Sequence, residues 1–226
     1  MATDNSKIVK QLHTEALPQV TRKALKFLSG EVWLKKSDWY LAGGTALALF
    51  EGHRKSYDLD FFLPYKDFTI PDLLKYLPDK LWHTDIARDA TVYGKLMGAK
   101  VSFIAYPFFK RAQKPLLHGS VKILQPKDIA VMKIIAISQR GRKRDFFDLY
   151  WYVTHHENME DIIMRLPKQY PTVAHDYHHI LKSLVYFADA DQDPDPIIFF
   201  SATWKGVKKY FEKEVPKLAK KLLSLI

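Results

Sequence analysis

The feature that most constrains this chain is a pair of short motifs close together. Leu41-Ala42-Gly43-Gly44-Thr45-Ala46-Leu47-Ala48-Leu49 is followed at once by His53-Arg54-Lys55-Ser56-Tyr57-Asp58-Leu59-Asp60-Phe61-Phe62. The pattern reads as strand end, glycine turn, short helix, loop, and a strand bearing two aspartates. Side chains alternate faces along a strand, so Asp58 and Asp60 point one way, about 7 Å apart, while Leu59 and Phe61 point the other and can bury. Two like charges that close are costly without a cation between them. A divalent ion with oxygen ligands meets that need, and a polyphosphate commonly accompanies it. The bland alternative is a solvated pair salt-bridged to Arg54 and Lys55.

Gly43-Gly44 permits positive φ and close approach of backbone to a ligand. Thr45 is placed to cap a helix over 46–51 that Gly52 stops. The free N–H groups and positive dipole end at such a helix start suit a phosphate. Glycine turns before helices are common, so the turn gains weight only beside the aspartates.

The 226 residues suffice for one large domain or two small ones. Hydrophobic residues make up 47% and aromatics 14%, which provides for a packed core and excludes a disordered chain. No apolar run is long enough to span a bilayer, and Met1-Ala2-Thr3-Asp4-Asn5-Ser6 has no signal-peptide pattern. Cys is absent, which excludes disulfides and thiolate metal sites. A cytoplasmic protein with no membrane partner is the expectation. Lys and Arg number 35 against 25 Asp and Glu, a net +10 that suits an anionic partner such as nucleotide or nucleic acid.

Residues 6–28 read as helical, with Ser6 as cap, Pro18 as interruption, and Val20, Ala24, Phe27 and Leu28 as a second apolar stripe. Strands are expected over 39–42, 58–63, 82–89, 91–97, 100–106 and 121–124, and a helix over 67–80. At Pro126 the character changes to helix. Lys133 is the only charge in the apolar run 129–137. It either snorkels or meets a phosphate. Arg140-Gly141-Arg142-Lys143-Arg144 is a basic loop, read as a solvated turn or as a holder of triphosphate or RNA backbone. Asp145 and Asp148 open the next helix and share a face. Further amphipathic helices are expected over 160–165, 173–187 and 204–225, with a loop over 189–196. A soft domain boundary falls near Pro126: residues 1–125 form a sheet domain and 126–226 a helical one.

His175, His178 and His179 have helical spacing but no acidic partner, and read as structural. His155 and His156 read likewise. His53 lies beside the proposed cleft. The stripe Val207, Phe211, Val215, Leu218 and Leu222 reads as core. No Walker loop, Rossmann fingerprint or serine elbow is present.

The glycine motif, the aspartate motif, and Lys133 with the segment Arg140 to Tyr150 together resemble the abortive-infection nucleotidyltransferase toxins (AbiEii/AbiGii-like), a branch of the polymerase-beta-like nucleotidyltransferase superfamily. The resemblance implies an α+β nucleotidyltransferase fold, a small mixed sheet flanked by helices, with a helical C-terminal domain. It implies Mg²⁺- or Mn²⁺-dependent transfer of a nucleotide from an NTP to RNA such as tRNA, or to protein, by the toxin of a bacterial toxin–antitoxin pair, with an antitoxin as partner. By position, Gly43, Gly44, Thr45, Arg54, Ser56, Arg140 and Arg144 would hold the nucleotide. Asp58 and Asp60 would bind metal, and Lys133, Asp145 and Asp148 would complete the catalytic set. One departure stands out. Ser102 occupies the strand position where the superfamily usually supplies a third metal carboxylate. A catalytically reduced nucleotide- or RNA-binding module of the same fold is therefore the competing reading.

Overall fold

The computed structural model describes residues 12–223; the expected cap at Ser6 lies outside them. A short 3₁₀ turn at Thr14–Ala16 leads into α1 (Gln19–Gly30) and α2 (Val32–Lys36). The buried stripe of α1 is Thr21, Ala24, Leu25 and Leu28, at helical spacing. Val20, expected inside, is exposed. Thr21 takes the inner place because its hydroxyl is satisfied, donating to the Tyr57 carbonyl at 2.8 Å.

β1 (Tyr40–Ala42) runs directly into α3 (Gly43–Glu51). The helix therefore starts at the glycines, and Thr45 sits inside its first turn rather than capping it. Gly52, at φ 59°, closes it in the left-handed conformation. β2 (Leu59–Leu63) begins one residue later than expected, leaving Asp58 at its threshold. The expected helix at 67–80 shrinks to α4 (Ile70–Leu74), with Pro71 in its first turn and Pro78 barring continuation.

The three strands expected here are present as β3 (Trp82–Arg88), β4 (Thr91–Leu96) and β5 (Ala99–Ala105), and they pair as an antiparallel meander. β6 (Leu116–His118) was not foreseen; it pairs with β7 (Val121–Ile123) across a turn at Gly119, φ 60°. The seven described strands form one mixed sheet in the order β3-β4-β5-β2-β1-β7-β6. β1 lies antiparallel to β2 and parallel to β7, while β2 and β5 are parallel. The mixed sheet flanked by helices expected of an α+β fold is thus present.

α5 (Pro126–Arg140) is apolar around most of its circumference, as a helix enclosed on many sides must be. It packs on α3, α6 (Lys143–His155), α7 (Met159–Ile163) and α9 (Tyr177–Ser183). Gly141, φ 52°, breaks α5 from α6. α9 starts later than expected because Asp176 accepts from the His179 N–H at 2.9 Å and caps it there. α8 (Leu166–Gln169) and α10 (Ala188–Asp191) are single turns, the latter within the expected loop. In α11 (Trp204–Leu223), Val207, Phe211, Val215, Leu218 and Leu222 are all buried, as the stripe required. The core cluster includes residues from both sides of Pro126.

Candidate active site

A cleft of about 430 Å³ opens where β1 turns into α3. Gly43 makes the turn at φ 72°, and α3 starts without a side-chain cap, so its first N–H groups are left for a ligand at the cleft. The glycines are also needed to make room. A Cβ on Gly43 would lie 3.3 Å from Asp60 Oδ2. One on Gly44 would overlap the Arg54 guanidinium and lie 3.2 Å from Asp148 Oδ2. Thr45 Oγ1 meets Ser56 Oγ at 2.8 Å and donates to the Asp58 carbonyl. Both hydroxyls are buried, and they tie the loop before β2 to the helix.

Behind the cleft lies a buried ion network. Arg54 grips Asp148 with two parallel bonds, Nε to Oδ1 at 2.6 Å and Nη2 to Oδ2 at 2.8 Å. His53 Nε2 adds a bond to Oδ1 at 2.7 Å, and Lys133 Nζ sits 2.5 Å from Oδ2. Lys133 also donates to Asp145 Oδ1 at 2.6 Å, and Arg140 Nε to Asp145 Oδ2 at 3.0 Å. Burial opposes charge on both carboxylates. The neighbouring Arg54 and Lys133 outweigh it at Asp148 and hold that carboxyl well below the usual range. Lys133 and Arg140 do the same for Asp145, less strongly. Burial lowers the pKa of His53, which favours the neutral ring donating from Nε2.

The aspartate pair is different. Asp58 and Asp60 line the cleft together, as their spacing required. Arg144 Nη1 lies 3.4 Å from Asp58 Oδ2 across a half-exposed gap. Asp60 has no ion-pair partner among the described residues; Ser102 Oγ donates to its Oδ1 at 2.7 Å. Burial raises the pKa of Asp60, and the charge on Asp58 adds to this. A half-buried carboxylate beside a second one, open to a cleft and with no ion-pair partner of its own, fits a hard divalent ion completed by phosphate and water. Among the described residues no cluster of three or more His, Cys, Asp or Glu has metal-holding geometry. Asp58 and Asp60 are the carboxylates that would hold such an ion.

A family model for the nucleotidyl transferase AbiEii toxin of type IV toxin–antitoxin systems matches residues 27–92 and 99–223. The chain belongs to the AbiEii family. An uncharacterized protein of Aquifex aeolicus (strain VF5) is 36% identical over 191 residues, covering 79% of this chain and 87% of that protein. A candidate nucleotidyltransferase from H. pylori has the same fold at TM-score 0.51 and 18% identity, over 90% of this chain and 95% of that one. MenT4, a nucleotidyltransferase toxin of Mycobacterium tuberculosis, aligns at TM-score 0.43 and 15% identity over 88% and 91%.

In this AbiEii chain, Gly43, Gly44, Thr45, Arg54, Ser56, Asp58, Asp60, Lys133, Arg140, Arg144 and Asp145 all line the one cleft. Asp148 does not: it is fully buried behind it, with both oxygens engaged. His53 is buried with it and stacks on Trp151 at 5.9 Å. Ser102 pairs with Asp60 across β2 and β5, where the expected third carboxylate would stand. His175 and His179 bond backbone carbonyls of Tyr170 and Ser138, consistent with the structural reading. The far wall holds residues not foreseen: Phe62, Asp85, Tyr93, Lys100 and Tyr106. A register shift between Thr84 and Ile86 leaves Asp85 out of the ladder. Nothing in local alternation signals that bulge. No described helix is long and apolar enough to cross a membrane.

Proposed function

We propose that the chain transfers a nucleotide from an NTP to an acceptor RNA in the cytoplasm, as the toxin of a toxin–antitoxin pair. The observation that carries this reading is Asp60: a half-buried carboxylate with no ion-pair partner among the described residues, beside Asp58 and the uncapped start of α3. The N–H groups of Gly43 and Gly44 hold phosphate oxygens. Arg140 and Arg144, at the cleft rim, neutralise the triphosphate. Asp58 and Asp60 would hold Mg²⁺ or Mn²⁺, which when bound polarises the α-phosphate. Phe62 and Tyr106 offer apolar faces to the base.

The acceptor hydroxyl oxygen attacks the α-phosphorus. A new O–P bond forms, the bond to the bridging oxygen breaks, and pyrophosphate leaves with its electron pair. The hydroxyl proton leaves to water in the open cleft. Lys133 and Asp148 serve as positioning residues. Asp148 fixes Arg54 and Lys133, and Lys133 fixes Asp145.

Ser102 favours a second reading, in which the cleft binds Mg·NTP without turnover. Incubation with each α-labelled NTP, Mg²⁺ and total RNA separates the two. Label on RNA, lost in Asp58→Ala, supports transfer. Tight NTP binding with no label moved supports the binding module, and no NTP binding contradicts both.

A further inference from the structure

β1 places Gly43 at one end and Tyr40 at the other. Its antiparallel partner β2 and the parallel β5 bring Leu63 and Ala105 to the Tyr40 end. A second cavity, of about 510 Å³, opens there. Its wall includes Tyr40, Tyr65, Phe108, Lys110 and Arg111. Tyr40 is 2% exposed, and its buried hydroxyl has no hydrogen-bond partner among the described residues. Burial raises the pKa of this phenol, and Arg111 is close enough to act against that. Such an orphan is costly unless a ligand meets it. Lys110 and Arg111 are exposed and have no ion-pair partner among the described residues. Asp38, the acid on this wall, is already taken by the Tyr65 hydroxyl.

The loop bearing the two cations is held from beneath. Asp128, fully buried in the first turn of α5, accepts the Ala112 N–H at 3.1 Å and the Gln113 N–H at 3.0 Å. Gln169 Nε2 donates to the same carboxylate at 2.6 Å, and the Lys110 N–H donates to the Gln169 carbonyl at 2.7 Å. The cations are thus presented on a fixed frame. Aromatic rings join this cavity to the first cleft. Phe62 of the cleft lies 6.1 Å from Tyr40, and Tyr106 of the cleft 5.6 Å from Phe108.

We propose that this second cavity binds an unstacked nucleotide of the acceptor RNA, next to the part of the strand that enters the first cleft. The rings stack its base, the Tyr40 hydroxyl meets the base's polar edge, and Lys110 and Arg111 meet the phosphodiester. Flat aromatic faces beside unpaired cations form the usual platform for a single strand. That the RNA is an acceptor rests on the transfer reading above; the cavity itself does not.

The test uses the full chain and a fluorescent single-stranded RNA octamer, with Mg·NTP binding read separately. Phe108→Ala should weaken RNA binding about tenfold. Lys110→Ala/Arg111→Ala should reduce the slope of log affinity against log salt by about 1.4. Tyr40→Phe should weaken RNA binding several-fold with a melting temperature equal to or above wild type, which a merely structural tyrosine would not give. NTP affinity should be unchanged in all three. RNA binding equal to wild type in the variants overturns the proposal. So does a wild type that binds no RNA, or one that labels protein in a manner insensitive to these substitutions. Absence of NTP binding would overturn the transfer reading instead, leaving the RNA result to judge the cavity.

Discussion

Ser102 Oγ lies 2.7 Å from Asp60 Oδ1, on strands whose Cα atoms pair directly at these two residues. The serine thus stabilises a carboxylate from the position where a second carboxylate would repel it. Replacing it with an acid reverses that. Ser102→Asp should lower the melting temperature of the metal-free protein, and millimolar Mg²⁺ should restore it. A variant whose melting curve ignores Mg²⁺ would argue against an ion at Asp60.

Asp60 itself is maintained at a cost to stability. An acid whose folded pKa lies above its unfolded value destabilises the fold at neutral pH, and burial is the main cause here. Asp60→Asn should therefore stabilise the metal-free protein, by about 1 kcal/mol, while abolishing transfer. Chemical denaturation measures the first effect. A variant less stable than wild type would show that the carboxylate is compensated after all.

Asp148 is the opposite case. Removing it strands the buried Arg54 and leaves Lys133 only Asp145 as a partner. Asp148→Ala should cost about 3–5 kcal/mol in urea unfolding. A loss under about 1 kcal/mol would mean the network contributes little to stability.

Asp145 and Asp148 also set the acid limit. Both are held below the usual 3.8 by nearby cations, although burial works the other way. An acid with a lowered folded pKa contributes fully above its unfolded value and loses that contribution as pH falls through the folded one. Stability followed by circular dichroism should therefore drop below pH 3.8, and Asp145→Asn should flatten that drop. An acid limb identical to wild type would contradict this.

Much of the candidate site was legible because its cleft residues come from short contiguous stretches. The turn at Gly43, the pair Asp58 and Asp60, and the Lys133 to Asp145 segment all reached one cleft. The network that fixes them was not legible. Arg54 and Asp148 are 94 positions apart, and nothing local couples them. Asp148 was accordingly grouped with the catalytic acids, although it lies behind the cleft. Thr45 resembled a cap because capping chemistry suits a threonine there. In the fold its hydroxyl is spent on Ser56 and the Asp58 carbonyl. The three residues of β6 are too few to show alternation, and Asp85 enters the cleft wall beside a bulge that periodicity hides.

The most direct test is a crystal soaked with Mn²⁺ and a non-hydrolysable NTP, read by anomalous scattering. A metal peak is expected about 2.1 Å from carboxylate oxygens of both Asp58 and Asp60, with the triphosphate against the Gly43–Gly44 end of α3. Nucleotide bound elsewhere, or at the glycines with no ion on either aspartate, would contradict it.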